Sequence, residues 1–207
     1  LICMRLGGYS YYDLRYWQIA KAPYSREALK EIACESFKII KARKGKNKKC
    51  LILDCDNTLW GGIVGEDGLN GIKLGQNYPG SAFCDFQKGI LQLFNRGVIL
   101  ALCSKNNEED VSKVFREHPD MILKEKHFAV TQINWNSKTS NIKKIVETLN
   151  IGIDSVVFAD DSEFEINLVR ELLPDVELLH LPVKQPSLYK DLLNKGAFFE
   201  TLVYSLE

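Results

Sequence analysis

The sequence predicts an α/β fold, a parallel sheet with helices on both faces, entered through a helical lead-in. Short apolar runs bounded by turn residues alternate with segments whose apolar positions recur every three or four residues, the pattern of buried parallel strands joined by helical crossovers. The composition is that of a globular chain: of 207 residues, 45% are hydrophobic and 26% charged. No segment is low-complexity and nothing repeats internally, so a single sheet accounts for the alternation.

The elements follow in order. A lead-in over residues 1–48 contains a helix in which Leu29, Ile32, Ala33, Phe37 and Ile40 share a face, capped by Ser25 after Pro23. It ends in a basic run, Lys38, Lys41, Arg43, Lys44, Lys46, Lys48 and Lys49 around Gly45, which reads either as a solvated helix end or as a surface that meets phosphate or a partner. The domain proper spans 49–207. It opens with a buried strand at 51–53, a helix at 81–96 closed by Gly97, and a second buried strand at 98–103. A helix at 108–117 stops before Pro119 and leads to a weaker strand at 128–131. A helix at 140–149, a strand at 155–159, a helix at 164–173 stopped by Pro174 and a last strand at 176–181 complete it.

Several classes are excluded. No apolar run approaches the ~20 residues of a transmembrane helix, and 27 basic residues balance 27 acidic ones, leaving no global field for nucleic acid or an acidic membrane. The six cysteines, Cys3, Cys34, Cys50, Cys55, Cys84 and Cys103, form no C-x-x-C pair, and His118, His127 and His180 are scattered, which argues against a zinc site. Cys50, Cys55 and Cys103 lie in or beside apolar strands, as expected of reduced thiols in a cytoplasmic protein. The chain begins at Leu1 without a signal-like stretch, so it is expected to be a piece of a longer protein with an upstream domain.

In parallel sheets, ligands bind beyond the carboxyl ends of the strands. The first strand leaves into Asp54-Cys55-Asp56-Asn57-Thr58, the second into Ser104-Lys105, and the fourth into Asp160-Asp161; Lys138 opens the helix after the third. Crowded carboxylates raise one another's pKa unless a cation neutralises them, and a hard divalent ion such as Mg²⁺ is the natural partner. Ser104 and Lys138 supply a hydroxyl and a point charge suited to phosphate. A phosphate ester or anhydride is the expected substrate.

This order of residues resembles the haloacid dehalogenase (HAD) superfamily of phosphotransferases. Longer phrases narrow the likeness: Asp54 to Gly62, Gly65-Glu66-Asp67-Gly68, Cys103 to Asn107, His118-Pro119-Asp120-Met121, Asn134-Trp135, Phe158 to Asp161 and the Trp17 to Ser25 segment resemble its FkbH-like branch, subfamily IIIC. The resemblance implies a HAD-type Rossmann-like sheet. It implies Asp54 as nucleophile forming an aspartyl phosphate, and Asp56 as general acid and base whose backbone carbonyl also reaches the metal. Ser104 and Lys138 would neutralise phosphoryl oxygens, with Asn57, Thr58 and Lys105 completing the phosphate site. The metal set is Asp54, Asp56, Asp160 and Asp161; Asp161 is the preferred direct ligand of the pair, with Asp160 binding through water or orienting Lys138. Where the family commonly has Asn-Pro-Phe-Glu-Arg after the acidic pair, this chain has Ser162-Glu163-Phe164-Glu165-Ile166.

Residues 59–103 and 105–137, where HAD enzymes insert cap domains, are filled by the predicted elements, so a capless, open site is expected, with a hairpin-like flap over 60–67. Trp60 and Trp135 either contact substrate there or pack against the sheet. An open site suits a phosphorylated small molecule completed by a partner, or a carrier-bound substrate. The likeness also allows a second activity, transfer of a glyceryl unit from a phosphoglycerate-derived donor to an acyl carrier protein, which needs a thiol near the phosphoryl site. Cys103 and Cys55 are candidates by position, yet strand alternation turns both away from it. A catalytically silent binding module is the third reading, disfavoured by the intact acidic set.

Overall fold

The computed structural model describes residues 2–43 and 47–200. Lys48–Phe199 form one compact unit and the remaining described residues another. The N-terminal unit is helical: α1 (Ile2–Leu6), α2 (Gly8–Tyr11), α3 (Leu14–Ala20) and α4 (Arg26–Arg43). Ser25 caps α4, its Oγ accepting from the Ala28 N–H at 3.0 Å. Of the apolar stripe expected on α4, Leu29, Phe37 and Ile40 are all at least half exposed among the described residues, and Ile32 is partly buried. Of the basic run, residues 44–46 and the Lys41 side chain lie outside the described residues, as do residues 201–207. Lys48 donates to the Asp154 carbonyl at 2.6 Å.

The larger unit is a five-stranded sheet in the order β3-β2-β1-β4-β5, parallel throughout. Its elements are β1 (Cys50–Leu53), α5 (Val64–Gly71), α6 (Gly80–Asn95), β2 (Ile99–Ser104), α7 (Glu108–Glu117), β3 (Phe128–Ile133), α8 (Lys138–Leu149), β4 (Val156–Asp160), α9 (Glu163–Leu172), β5 (Glu177–His180) and α10 (Tyr189–Lys195). Alternate residues of each strand serve two cores. Leu51, Leu53, Leu100 and Leu102 join one core with Phe83 and Phe86 of α6, Val111 and Val114 of α7 and Tyr189 of α10. Cys50, Ile52, Ala101 and Cys103 join the other with Ile142 of α8 and Ile166 of α9. The chain runs from β1 outward to β2 and β3, then returns to β4 on the other side of β1, so the direction reverses between β1 and β4. A crevice opens at such a reversal.

No separate domain interrupts residues 59–103 or 105–137. The segment expected to be a hairpin-like flap is instead a short antiparallel bridge, Gly61 to Lys73, closing around helix α5. Two carboxylates explain the helix: Asp67 Oδ2 accepts from Ile63 N at 2.9 Å and Asp56 Oδ1 from Val64 N at 3.0 Å, satisfying its first free N–H groups. Gly62 sits at φ 95°, a left-handed conformation that an L side chain rarely adopts. Among the described residues, no helix is long and apolar enough to cross a membrane.

Candidate active site

Three acids meet at the reversal. Asp54 follows β1, Asp160 ends β4 and Asp161 follows it, and one carboxylate oxygen from each lies within 4.8 Å of the others. Lys138, the first residue of α8, reaches between them: its Nζ donates to Asp160 Oδ2 at 2.5 Å and lies 3.1 Å from Asp54 Oδ1. Ser137 sets the start of that helix, its Oγ accepting from Ser140 N at 3.3 Å, and so places Lys138 at the sheet edge. Asp160 is anchored on its other oxygen by the Ser162 N–H at 2.8 Å.

The charges do not balance. Three carboxylates against one ammonium leave a formal excess of two negative charges in a largely buried space. Burial, reinforced by the charge of Asp54, pushes the Asp161 carboxyl up to about 6 and Asp160 up to about 7. Burial alone would lower the Lys138 ammonium, but Asp54 and Asp160 outweigh it and keep the lysine charged. Asp54 Oδ1 is buried and receives no hydrogen bond. The cluster is short of positive charge by what a divalent cation carries.

Asp56 is held apart from this cluster by neutral donors. Its Oδ1 accepts from Trp60 Nε1 at 2.8 Å and from Val64 N, and its Oδ2 from Asn106 Nδ2 at 2.8 Å. Burial outweighs these bonds and raises its pKa, so this carboxyl keeps a proton more readily than an exposed aspartate.

The structure matches a crystal structure of the N-terminal part of the protein BF1531 from Bacteroides fragilis, which contains a phosphatase domain and is complexed with Mg. The match covers 98% of this chain at 43% identity with a TM-score of 0.88. With the acids of β1 and β4 and the lysine of α8 already in place on a β3-β2-β1-β4-β5 sheet, the architecture is decided. The fold is of the HAD type. The chain spans about half the length of the BF1531 structure, 54% of it. A HAD family enzyme from Bacteroides thetaiotaomicron, bt-2542, solved with magnesium and inorganic phosphate, matches 66% of this chain and 95% of its own at 17% identity, with a TM-score of 0.46. No family model and no curated protein matches the sequence.

The HAD-type frame brings Ser104 to the end of β2, buried, with Asn106 Nδ2 3.5 Å from its hydroxyl. Two other residues expected at the phosphate are engaged elsewhere: Asn57 Oδ1 accepts from Gly62 N at 2.9 Å, and Lys105 Nζ donates to Glu165 Oε1 at 2.6 Å. The Thr58 hydroxyl is fully buried and has no hydrogen-bond partner among the described residues. Asn57 and Thr58 shape the turn after Asp56, and Lys105 ties the β2 exit to α9. Trp60 has no exposed surface and packs edge-on against Phe115, so it is a core residue that orients Asp56 and not a lid. Trp135 is 70% exposed, its indole donating to Asn107 Oδ1 at 3.2 Å. Cys55 and Cys103 have no exposed surface, and burial raises both thiols. Two contributors carried no signal of their own. Asn106 bonds Asp56, and the Tyr189 hydroxyl donates to the Asn57 carbonyl at 2.9 Å; only the place of Asn106, two residues past Ser104, hinted at its role.

Proposed function

We propose that the chain is a Mg²⁺-dependent phosphohydrolase acting on a phosphate ester through an aspartyl-phosphate intermediate. The observation that carries this is the meeting of Asp54, Asp160, Asp161 and Lys138 at the carboxyl ends of the strands, with the Asp56 carboxyl held nearby by three neutral donors. The similarity to a phosphatase domain complexed with Mg supports it.

The donor set suits a hard divalent cation: three carboxylates, a formal excess of two negative charges and an Asp54 oxygen without a hydrogen bond. Asp54 and Asp161 would hold it, with the Asp56 carbonyl, while Asp160 orients Lys138. Bound there, Mg²⁺ would act as a Lewis acid on the phosphoryl oxygens. The Asp54 carboxylate attacks phosphorus, the bond from phosphorus to the ester oxygen breaks, and Asp56 gives that oxygen its proton. Asp56 then takes a proton from water as the water oxygen attacks phosphorus; the bond to Asp54 breaks and inorganic phosphate leaves. Lys138 and Ser104 neutralise the oxygens over which charge spreads.

The motif phrases favour the FkbH-like branch. Between its two chemistries, the buried, raised thiols of Cys55 and Cys103 favour hydrolysis over glyceryl transfer to an acyl carrier protein. Because neither insertion segment holds a domain, the substrate is a phosphorylated small molecule or a carrier-bound phosphate that a partner helps to enclose. Six free cysteines fit a cytoplasmic setting.

Phosphate release from p-nitrophenyl phosphate tests the proposal. Turnover should require Mg²⁺, stop with EDTA and fall about a thousandfold in Asp54→Asn with the circular dichroism spectrum unchanged. An Asp54→Asn variant as active as the parent would place the nucleophile elsewhere.

A further inference from the structure

Three donors from three parts of the chain hold the Asp56 carboxyl, and they treat its two oxygens differently. Oδ1 accepts from Trp60 Nε1 at 2.8 Å, in the segment between β1 and α5, and from Val64 N at 3.0 Å, at the start of α5. Oδ2 accepts from Asn106 Nδ2 at 2.8 Å, two residues beyond the end of β2. A carboxyl oxygen has two lone pairs, and two N–H donors occupy both of those on Oδ1. The proton of the neutral acid therefore belongs on Oδ2, beside the single amide that bonds it.

Asn106 is fixed and stands between two working groups. It is buried, as is Ser104, and only Lys105 and Asn107 separate it from the end of β2 and the start of α7. The β2 side is tied twice: Asn134 N donates to the Ser104 carbonyl at 3.1 Å, and Lys105 Nζ to Glu165 Oε1 at 2.6 Å. The same Asn106 Nδ2 lies 3.5 Å from Ser104 Oγ. An amide nitrogen carries two hydrogens, so one side chain can serve the Asp56 carboxyl and the Ser104 hydroxyl at once. It is also uncharged, so it orients the carboxyl without forming an ion pair with it.

We propose that Asn106 is a positioning residue for proton transfer: its amide holds Asp56 Oδ2, the proton-bearing oxygen, toward the ester oxygen of a phosphate seated at Asp54 and Ser104. The inference rests on the phosphohydrolase function proposed above and adds to it the residue that selects which carboxyl oxygen delivers the proton. As the bond from phosphorus to the ester oxygen breaks, that oxygen takes the Oδ2 proton and the O–H electron pair stays on Oδ2. The Asn106 N–H then meets a developing negative charge, so its bond is stronger in the transition state than before it. When water attacks the aspartyl phosphate, Oδ2 takes a proton from it, and the water oxygen bonds phosphorus as the bond to Asp54 breaks.

Steady-state kinetics on the full 207-residue chain in Mg²⁺ test it with two esters: ethyl phosphate, whose leaving group needs a proton, and p-nitrophenyl phosphate, whose leaving group does not. Asn106→Leu removes the donor at nearly constant volume. It should lower kcat/KM about tenfold to a hundredfold for ethyl phosphate and less than about threefold for p-nitrophenyl phosphate, with inhibition by inorganic phosphate unchanged. In the Asp56→Asn background the same substitution should cost less than about twofold with ethyl phosphate, because the proton it positions is gone. Asn106→Ser, whose hydroxyl stops short of Asp56, should behave alike and serves if Asn106→Leu does not fold. Equal losses with both esters, or a loss that persists in full in the Asp56→Asn background, would make Asn106 a structural residue and overturn the inference while leaving hydrolysis intact. Weaker inhibition by phosphate with no dependence on the leaving group would assign Asn106 to phosphate binding through Ser104, which also overturns it. Absence of phosphate release from every ester with the unaltered chain would instead overturn the proposed function, and this role with it.

Discussion

Asp54 and Asp56 stand two residues apart and meet opposite surroundings. Asp54 faces an ammonium and two other carboxylates, and its Oδ1 receives no hydrogen bond. Asp56 faces an indole N–H, a backbone N–H and an amide, and burial raises its pKa. An acid facing an ammonium and an acid whose carboxyl burial raises suit the two roles proposed above, nucleophile and proton donor. Asp56→Asn should therefore cost more with poor leaving groups than with good ones. Turnover of an alkyl phosphate should fall by about 10²- to 10⁴-fold, and that of p-nitrophenyl phosphate, whose leaving group needs no proton, by much less. Rates across a series of leaving groups measure this; equal losses across the series would remove the general-acid role.

Helix α6 joins site and core through one side chain. Gln87 is fully buried; its Nε2 donates to the Leu59 carbonyl at 2.8 Å and its Oε1 accepts from Ile122 N and Leu123 N at 3.0 and 3.1 Å. It bonds the turn after Asp56 to the loop that precedes β3. Gln87→Leu leaves a carbonyl and two N–H groups without partners in the core, and should cost about 2–4 kcal/mol in urea unfolding. A loss below about 1 kcal/mol would mean that water replaces the amide. Much of this architecture was legible in the sequence. The five strands were visible as apolar runs, and Asp54, Ser104, Lys138, Asp160 and Asp161 stood out because charged or hydroxyl groups at strand ends are conspicuous against those runs. Helix α10 was not legible, because its burial depends on tertiary packing: Tyr189 and Leu193 are buried in the core that α6 also lines. Tyr189 was silent because a phenol leaves no charge pattern, and Asn106 stood only within the Cys103 to Asn107 phrase, where nothing marks an amide as a partner of Asp56. Trp60 was ambiguous, since a buried indole and an exposed one read alike until the fold closes over one of them.

For the molecule as a whole, zero net charge conceals a local imbalance that ties stability to pH and metal. Without a cation, the folded Asp160 and Asp161 carboxyls titrate near about 7 and about 6, raised by burial and then by Asp54, while unfolded aspartate titrates near ~3.9. Between these values the folded chain holds more protons than the unfolded one, so cation-free stability should fall as pH rises from about 4 to about 7. Mg²⁺ should flatten or reverse that slope, because a cation that binds only the folded form stabilises it. Urea midpoints across this range, in EDTA and in Mg²⁺, give the comparison; a flat EDTA profile would mean that Lys138 already neutralises the cluster. The bond from Tyr189 to the Asn57 carbonyl has a consequence for biosynthesis. Every acid of the site has been joined to the chain once residue 161 is added, yet the clasp on the turn after Asp56 waits for residue 189. A nascent chain thus holds all the reactive groups before it holds them in their finished arrangement, and a message truncated between those points would encode the acids without the clasp.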